Sequence, residues 1–420
     1  MMRRRGVVLV FVLWAVVVLT VVCLALAGTA RYRQAHALRD TRHVTGVESL
    51  ASARSLARRV VLEDDPAADT LDEPWSGDAA GDFRFEISAR SVSVRTDGPA
   101  PARWGLTDEA ARLNANTATA EMLSRLPNMT LAAAEAFVAA REAAPAGRAS
   151  GTTGPLATPQ HVLDALAEAF VASGLGLGGE PVETPETWAD ATGYGPAVRA
   201  VEQYLTVYSR RPNTDAEGAP RVNVNTAPPE ALTARLGDAL SEDQLAALVL
   251  ERAEAPFETI GGLLTREMSL PPEGDEEEPR PVRIERPEFR RIADRITVTD
   301  AALLVGRVNV NTAPAEVLAA VPGLTEAHAA SLVDARPAAE ARRSIAWTLD
   351  VLDDETFAAA CEHLTTRTNQ FRMYARSDTS EPEGGSIDGG GSLSAPGSAR
   401  ALAVLERGDD RCGVIFWLRW

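Results

Sequence analysis

The sequence predicts an α+β protein: a long N-terminal helix, a terminal antiparallel sheet, and all-α modules set between them. Three observations carry that expectation. Residues Val7 to Ala27 form an apolar run broken only by Thr20, starting abruptly after Arg3, Arg4, Arg5 and Gly6. A phrase of the form apolar-Asn-apolar-Asn-Thr-Ala is written three times in the body. Segments with period-two alternation, rich in aromatic and β-branched residues, lie ahead of the first repeat and at the C-terminal end.

At about 1.5 Å per residue the apolar run crosses a hydrocarbon core of roughly 30 Å as one helix. The basic cluster biases the N-terminus to the cytoplasm, which puts the acidic body on the periplasmic side of the inner membrane. Three readings compete. A signal peptide would be cut at Ala25-Leu26-Ala27, but its apolar region usually runs about 7–15 residues, shorter than this one. A plain uncleaved anchor is the second. The third is a short basic leader cut after Gly6, leaving the whole apolar stretch in the mature chain with Val7 first. A glycine directly abutting the apolar run, with no spacer, favours the third.

On Gly6 and the run that follows, the segment resembles the type IV pilin family, whose leaders a prepilin peptidase removes. Members usually carry a glutamate five residues after the cut, and here that position is Phe11. A carboxylate in hydrocarbon is costly unless paired, and in that family it meets the N-terminal amine of the subunit ahead. A subunit with nothing ahead has no use for the charge. The resemblance, with Phe11 in place, therefore implies the tip of a pilus-like assembly.

Beyond the membrane the helix should continue. Leu38, Val47, Leu50, Leu56 and Val60 recur at spacings of three and four or their sums, with arginines between them, and no proline intervenes before Pro66. A helix of roughly 55 residues would be about 80 Å long. Gly46 is its weak point, at about 1 kcal/mol relative to alanine. Strands are expected at Phe83–Val94, Gln203–Ser209, Ile296–Val298, Phe371–Arg376, Ala401–Leu405 and Val414–Leu418. The glycine- and serine-rich stretch between Pro382 and Pro396 reads as a flexible hairpin loop.

The repeats begin Leu113-Asn-Ala-Asn-Thr-Ala118, Val222-Asn-Val-Asn-Thr-Ala227 and Val308-Asn-Val-Asn-Thr-Ala313. Each continues with a glutamate (Glu121, Glu230, Glu316) and a leucine two residues later. The phrase reads as a helix start. Asn114, Asn116, Asn223, Asn225, Asn309 and Asn311 suit turn backbone. Thr117, Thr226 and Thr312 are expected to cap the following helix. Pro228, Pro229 and Pro314 fall where a missing N–H does least harm, and the glutamates sit at the positive end of the dipole. Helical hairpins follow at Leu126-Pro-Asn-Met129, Leu236-Gly-Asp-Ala239 and Val321-Pro-Gly-Leu324, with trailing helices at Pro159–Leu166, Ile260–Leu264 and Trp347–Leu352. Each copy resembles a helix-hairpin-helix or SAM-like module.

Charge narrows the function. The net charge is −17, and every one of the 42 basic residues is arginine. Lysine-dependent chemistry is thereby excluded, and clustered charge for neutralising phosphates is missing. Only Val321-Pro-Gly-Leu324 keeps the hairpin form that grips a nucleic-acid backbone, so no nucleic-acid partner is expected. The five histidines are scattered, no metal spacing or nucleophile elbow is present, and the acidic run Asp275–Glu278 reads as a solvated loop. No enzymatic activity is expected. For Cys361 and Cys412 the sequence leaves a disulfide and two buried free thiols both open.

The leader without its glutamate, the helical Asn-x-Asn-Thr-Ala modules and a terminal strand ending Ile415-Phe-Trp-Leu-Arg-Trp420 occur together in one family. Over nearly its whole length the chain resembles the general secretion pathway protein K family of type II secretion. That resemblance implies a type IV pilin-like fold interrupted by helical modules, at the tip of a periplasmic pseudopilus that supports protein export across the outer membrane. It implies minor pseudopilins I and J and the prepilin peptidase as partners, methylation of Val7, and no organic cofactor. Some members bind calcium, but no ligand set matches positions in this chain. The expected division is leader 1–6, membrane helix 7–28, helix and first strands 29–105, module one 106–190, a strand segment 191–220, module two 221–294, a strand with module three 295–365, and terminal strands 366–420. The rival reading is a membrane-anchored DNA receptor of the competence type, which also joins one anchor to helix-hairpin-helix repeats. It would require a basic body and intact Pro-Gly hairpins.

Overall fold

One helix runs unbroken from Arg5 to Glu63, 59 residues, or about 90 Å at 1.5 Å per residue. This is a computed structural model, and it describes residues 5–76, 84–87, 90–95, 105–144, 154–174, 194–272, 278–336, 342–377 and 400–419. Met1 to Arg4, most of the Asp275–Glu278 run and the glycine-rich stretch at 382–396 lie outside the described residues. The helix passes through Gly46 without a break, and Gly46 itself is buried.

The part of the helix beyond Gly46 buries a stripe at Leu50, Ala53, Ala57 and Val61, spaced three and four apart so that all four share one face. Against it stand alternate residues of two strands: Phe371, Met373 and Ala375 of Gln370–Ser377, and Ala401, Ala403 and Leu405 of Arg400–Arg407. The stripe differs from the expected one, since Leu56 and Val60 are only half-buried. Alanine at positions 53 and 57 lets the helix backbone approach the sheet closely, so small residues form the seam and larger ones its flanks.

The sheet has six strands, ordered Arg84–Ile87, Arg90–Arg95, Gln370–Ser377, Arg400–Arg407 and Cys412–Arg419, with Thr107–Asp108 also pairing onto Gln370–Ser377; all pairings are antiparallel. Its other face carries Arg372, Val404 and Phe416 toward the helical modules.

The expected strands at Gln203–Ser209 and Ile296–Val298 are not members of this sheet. Leu205–Thr206 pairs in parallel with Leu113–Asn114, Ile296–Thr297 with Val222–Asn223, and Leu364–Thr365 with Val308–Asn309. Each repeat thus starts on a two-residue strand, makes a helical excursion, and comes back beside its own start. Last helices at Pro196–Glu202, Arg286–Ile292 and Asp354–Ala360 feed the three return strands. The second excursion is itself bracketed by an antiparallel pair, Arg210–Pro212 with Leu303–Val305.

The expected threonine caps are not where the structure puts them. Thr119, not Thr117, caps Ala120–Ser124, accepting from the Met122 N–H at 3.2 Å. The helices Pro229–Leu236 and Ala315–Ala319 begin after Pro228 and Pro314 with no side-chain cap. In those two copies Thr226 and Thr312 instead donate to Asp300 at 3.0 Å and Asp108 at 2.6 Å. Glu121, Glu230 and Glu316 do fall in first turns.

Candidate functional site: the anchor and the junction it enters

Leu9–Gln34 is long and apolar enough to cross a membrane, with mean hydropathy 3.1 and no residue buried by the rest of the chain. Gly6 and Val7 lie in the first turn of the same helix. The helix that carries the bare apolar surface is also the helix that packs on the sheet.

The repeated asparagines hold each excursion closed. The first asparagine of every phrase accepts, through Oδ1, from the backbone N–H two residues on: Asn114 from Asn116 and Asn223 from Asn225 at 2.9 Å, Asn309 from Asn311 at 3.0 Å. Its Nδ2 then reaches far along the chain, to the Tyr208 carbonyl from Asn114, to Asp300 from Asn223, and to Asp108 from Asn309. The second asparagine fastens a distant loop. Asn116 both donates to and accepts from the Leu156 backbone at 2.9 Å, and Asn225 does the same with Phe257 at 2.9 and 2.8 Å. Asn311 donates to the Arg342 and Thr366 carbonyls and accepts from the Trp347 indole at 3.1 Å.

Three arginines complete the pattern. Arg141 donates to the Ala115 and Ala118 carbonyls, Arg252 to Val224, and Arg336 to Val310 and Ala313. Burial draws Arg141 below its ordinary range and takes Arg336 down to about 10. Each guanidinium satisfies backbone carbonyls just beyond the short strand. Arg252 and the third return strand escaped the sequence reading, although Leu364-Thr365 shares a visible apolar-Thr signature with Leu205-Thr206 and Ile296-Thr297, which lie within expected strands.

The long helix ends where the third repeat meets the sheet. Asp64 accepts from Arg407 at 2.8 Å, and Asp69, fully buried, accepts from Arg407 at 2.7 Å and from the Thr368 N–H at 2.6 Å. Glu73 accepts from Thr70 N–H and the Trp75 indole. Asp108 binds Asn309, Thr312 and the Ala110 N–H. Burial, reinforced by neighbouring carboxylates, pushes Asp64 up to about 7, Glu73 to about 8 and Asp108 to about 6, and burial raises Asp69 against the pull of Arg407. Among the described residues, Asp64, Asp69 and Glu73 form a group whose oxygens converge within 4.8 Å. The donor set suits a metal poorly, because Arg407 already supplies the cation and N–H donors occupy the carboxylates.

On the far face of the sheet, Arg372 and Glu109 form a pair at 2.7 and 3.2 Å with side chains 1% and 0% exposed. Thr206 donates to the same Glu109 at 2.5 Å, tying the first return strand to the sheet.

Cys361 and Cys412 are both free and buried, in different apolar clusters, so no disulfide joins them. Burial pushes each thiol up to about 11.

Comparison with known proteins bears on the repeats. The family model for type II secretion system protein K matches residues 222–273 and 308–358, the second and third helical excursions. Over those two segments, about a quarter of the chain, the sequence is similar to the type II secretion system protein K family. A structure of the GspK-GspI-GspJ complex from the enterotoxigenic Escherichia coli type 2 secretion system is similar over 91% of this chain and 98% of that one, at 11% identity and a TM-score of 0.32. No curated protein matches in sequence.

Proposed function

We propose that this chain is a non-enzymatic minor pseudopilin at the tip of the type II secretion pseudopilus, working with minor pseudopilins I and J. The prepilin peptidase cuts after Gly6, Val7 becomes the methylated N-terminus, and the body stands in the periplasm in a pilin-like arrangement of helix and sheet. The observation that carries this reading is the single helix from Arg5 to Glu63, bare and apolar at one end and sheet-packed at the other. Such a helix can seat in the bilayer and then be extruded with its body when subunits add from below. Helical excursions covering the other face of the sheet make the body too wide to be stacked upon, and Phe11 leaves no charge waiting for a subunit above.

A DNA-receptor role gains nothing from the third hairpin. Arg125 donates to its Val321 and Leu324 carbonyls, and a Cβ at Gly323 would stand 2.7 Å from the Ala359 Cβ. That turn faces protein.

The tip assignment is tested by gold-labelling the protein on assembled pseudopili. Label confined to one fibre end supports it, and label distributed along the shaft rejects it.

A further inference from the structure

We propose that the stretch of helix just beyond the apolar run, centred on Arg31, Tyr32 and Arg33, binds the phosphate headgroups of anionic phospholipids. Counted from Ala27 at about 1.5 Å per residue, Arg31 and Arg33 stand about 6 and 9 Å past the end of the apolar run. The headgroup layer is roughly 5–7 Å deep on each side of the hydrocarbon, so both residues enter the helix at its level. Among the described residues, Gly46 is the first of the helix to be buried, about 20 Å beyond Arg33. At this depth phospholipid surrounds the helix on every side, and the body does not reach it.

The charge there is unspent. Arg31 and Arg33 are exposed, and among the described residues no carboxylate pairs with either. Residues 28–45 hold four arginines, Arg31, Arg33, Arg39 and Arg42, against one carboxylate, Asp40, which is a net +3 inside a chain of −17. Tyr32, 67% exposed, meets the His36 ring edge to face one turn on, with centroids 4.4 Å apart. An exposed tyrosine at the end of a membrane-crossing segment sits where such rings settle, its hydroxyl among the headgroups.

The near end of the body adds to the same field. Arg58 donates to the Cys412 carbonyl, and Arg54, one turn nearer the membrane, lies over the Trp417 ring. The strand Cys412–Arg419 therefore runs toward the membrane end of the helix. It finishes on Leu418, 46% exposed, and Arg419, exposed and without a carboxylate partner among the described residues. Guanidiniums present planar, paired donors that match phosphate oxygens, and each one close to an anionic surface strengthens attachment about fivefold. A choline headgroup carries its own cation beside the phosphate, so lipids with net negative charge are preferred. This inference rests on the membrane seat of the proposed function, not on the leader cut or the tip position.

Native mass spectrometry of the full chain, released from detergent micelles doped with equal amounts of phosphatidylglycerol and phosphatidylcholine, counts the lipids it retains. Phosphatidylglycerol should be retained at least about tenfold over phosphatidylcholine. Arg31→Gln combined with Arg33→Gln should bring the two lipids near parity with the far-UV spectrum unchanged, since both side chains are exposed. Arg59→Gln, on the exposed side of the same helix beside the body, should leave the preference in place. Equal retention by wild type, or displacement of phosphatidylglycerol by equimolar inorganic phosphate, would overturn the proposal alone; retention of neither lipid would overturn the membrane seat with it. A double variant that keeps the lipid preference but is missing from assembled fibres would overturn it in favour of a carboxylate-bearing neighbouring subunit.

Discussion

Replacing Arg372 by Met would remove a cation that meets Glu109 inside the body. Both side chains are fully buried, the pair is bidentate at 2.7 and 3.2 Å, and Arg372 also reaches Glu202 at 3.3 Å and the Tyr374 hydroxyl at 3.2 Å. After the change Glu109 keeps Thr206 as a donor but loses the Arg372 counter-charge. A stranded buried charge costs about 3–5 kcal/mol. For a chain of 420 residues, at about 2.1 cal/mol/K of unfolding entropy per residue, that is a fall in Tm of roughly 3–6 °C. The double change Arg372→Met with Glu109→Leu should recover most of the loss, since a buried ion pair exchanged for apolar groups of similar volume is often neutral. Urea unfolding followed by tryptophan emission reads wild type, both single variants and the double variant. A loss below about 1 kcal/mol for Arg372→Met, or a double variant as unstable as the sum of the singles, would refute the view that this pair fastens the first excursion to the sheet.

Two further outcomes follow from the junction. Asp64, Asp69, Glu73 and Asp108 hold protons in the folded body that they lose on unfolding, so the folded state binds more protons between about pH 4 and pH 8. Stability should therefore fall as pH rises through that window and level off above it, and Glu73→Gln should flatten the slope of Tm against pH; a Tm rising steadily from pH 5 to 8 contradicts the assignment. Gly306→Ala puts a Cβ 2.2 Å from the Thr117 hydroxyl at a residue with φ of +76°, and should cost about 1–3 kcal/mol in urea unfolding. An unchanged midpoint would show that the first and third excursions do not lock there.

The asparagine phrases were legible because half of their chemistry is local. Asn114, Asn223 and Asn309 each bond the backbone two residues on, a contact that spacing alone announces. The other half was not legible. Asn225 meets Phe257 and Asn309 meets Asp108, and nothing in a linear pattern says which distant loop an amide will find. The same limit hid the parallel pairing of the returns: Ile296–Thr297 lies within an expected strand, but nothing in the sequence names Val222–Asn223 as its partner. The caps were misjudged by two residues in the first copy, since Thr117 and Thr119 both precede a helix and only backbone geometry separates them. On the long helix, hydrophobicity pointed to Leu56 and Val60, whereas close packing on a sheet selects Ala53 and Ala57.

The leader cut is the point on which everything about fibre assembly rests. Intact-mass measurement of the protein purified from membranes of cells that carry the secretion system should give a chain beginning at Val7, with Gly6→Leu leaving the arginine leader attached. A mature chain beginning at Met1 or Gly28 would contradict it.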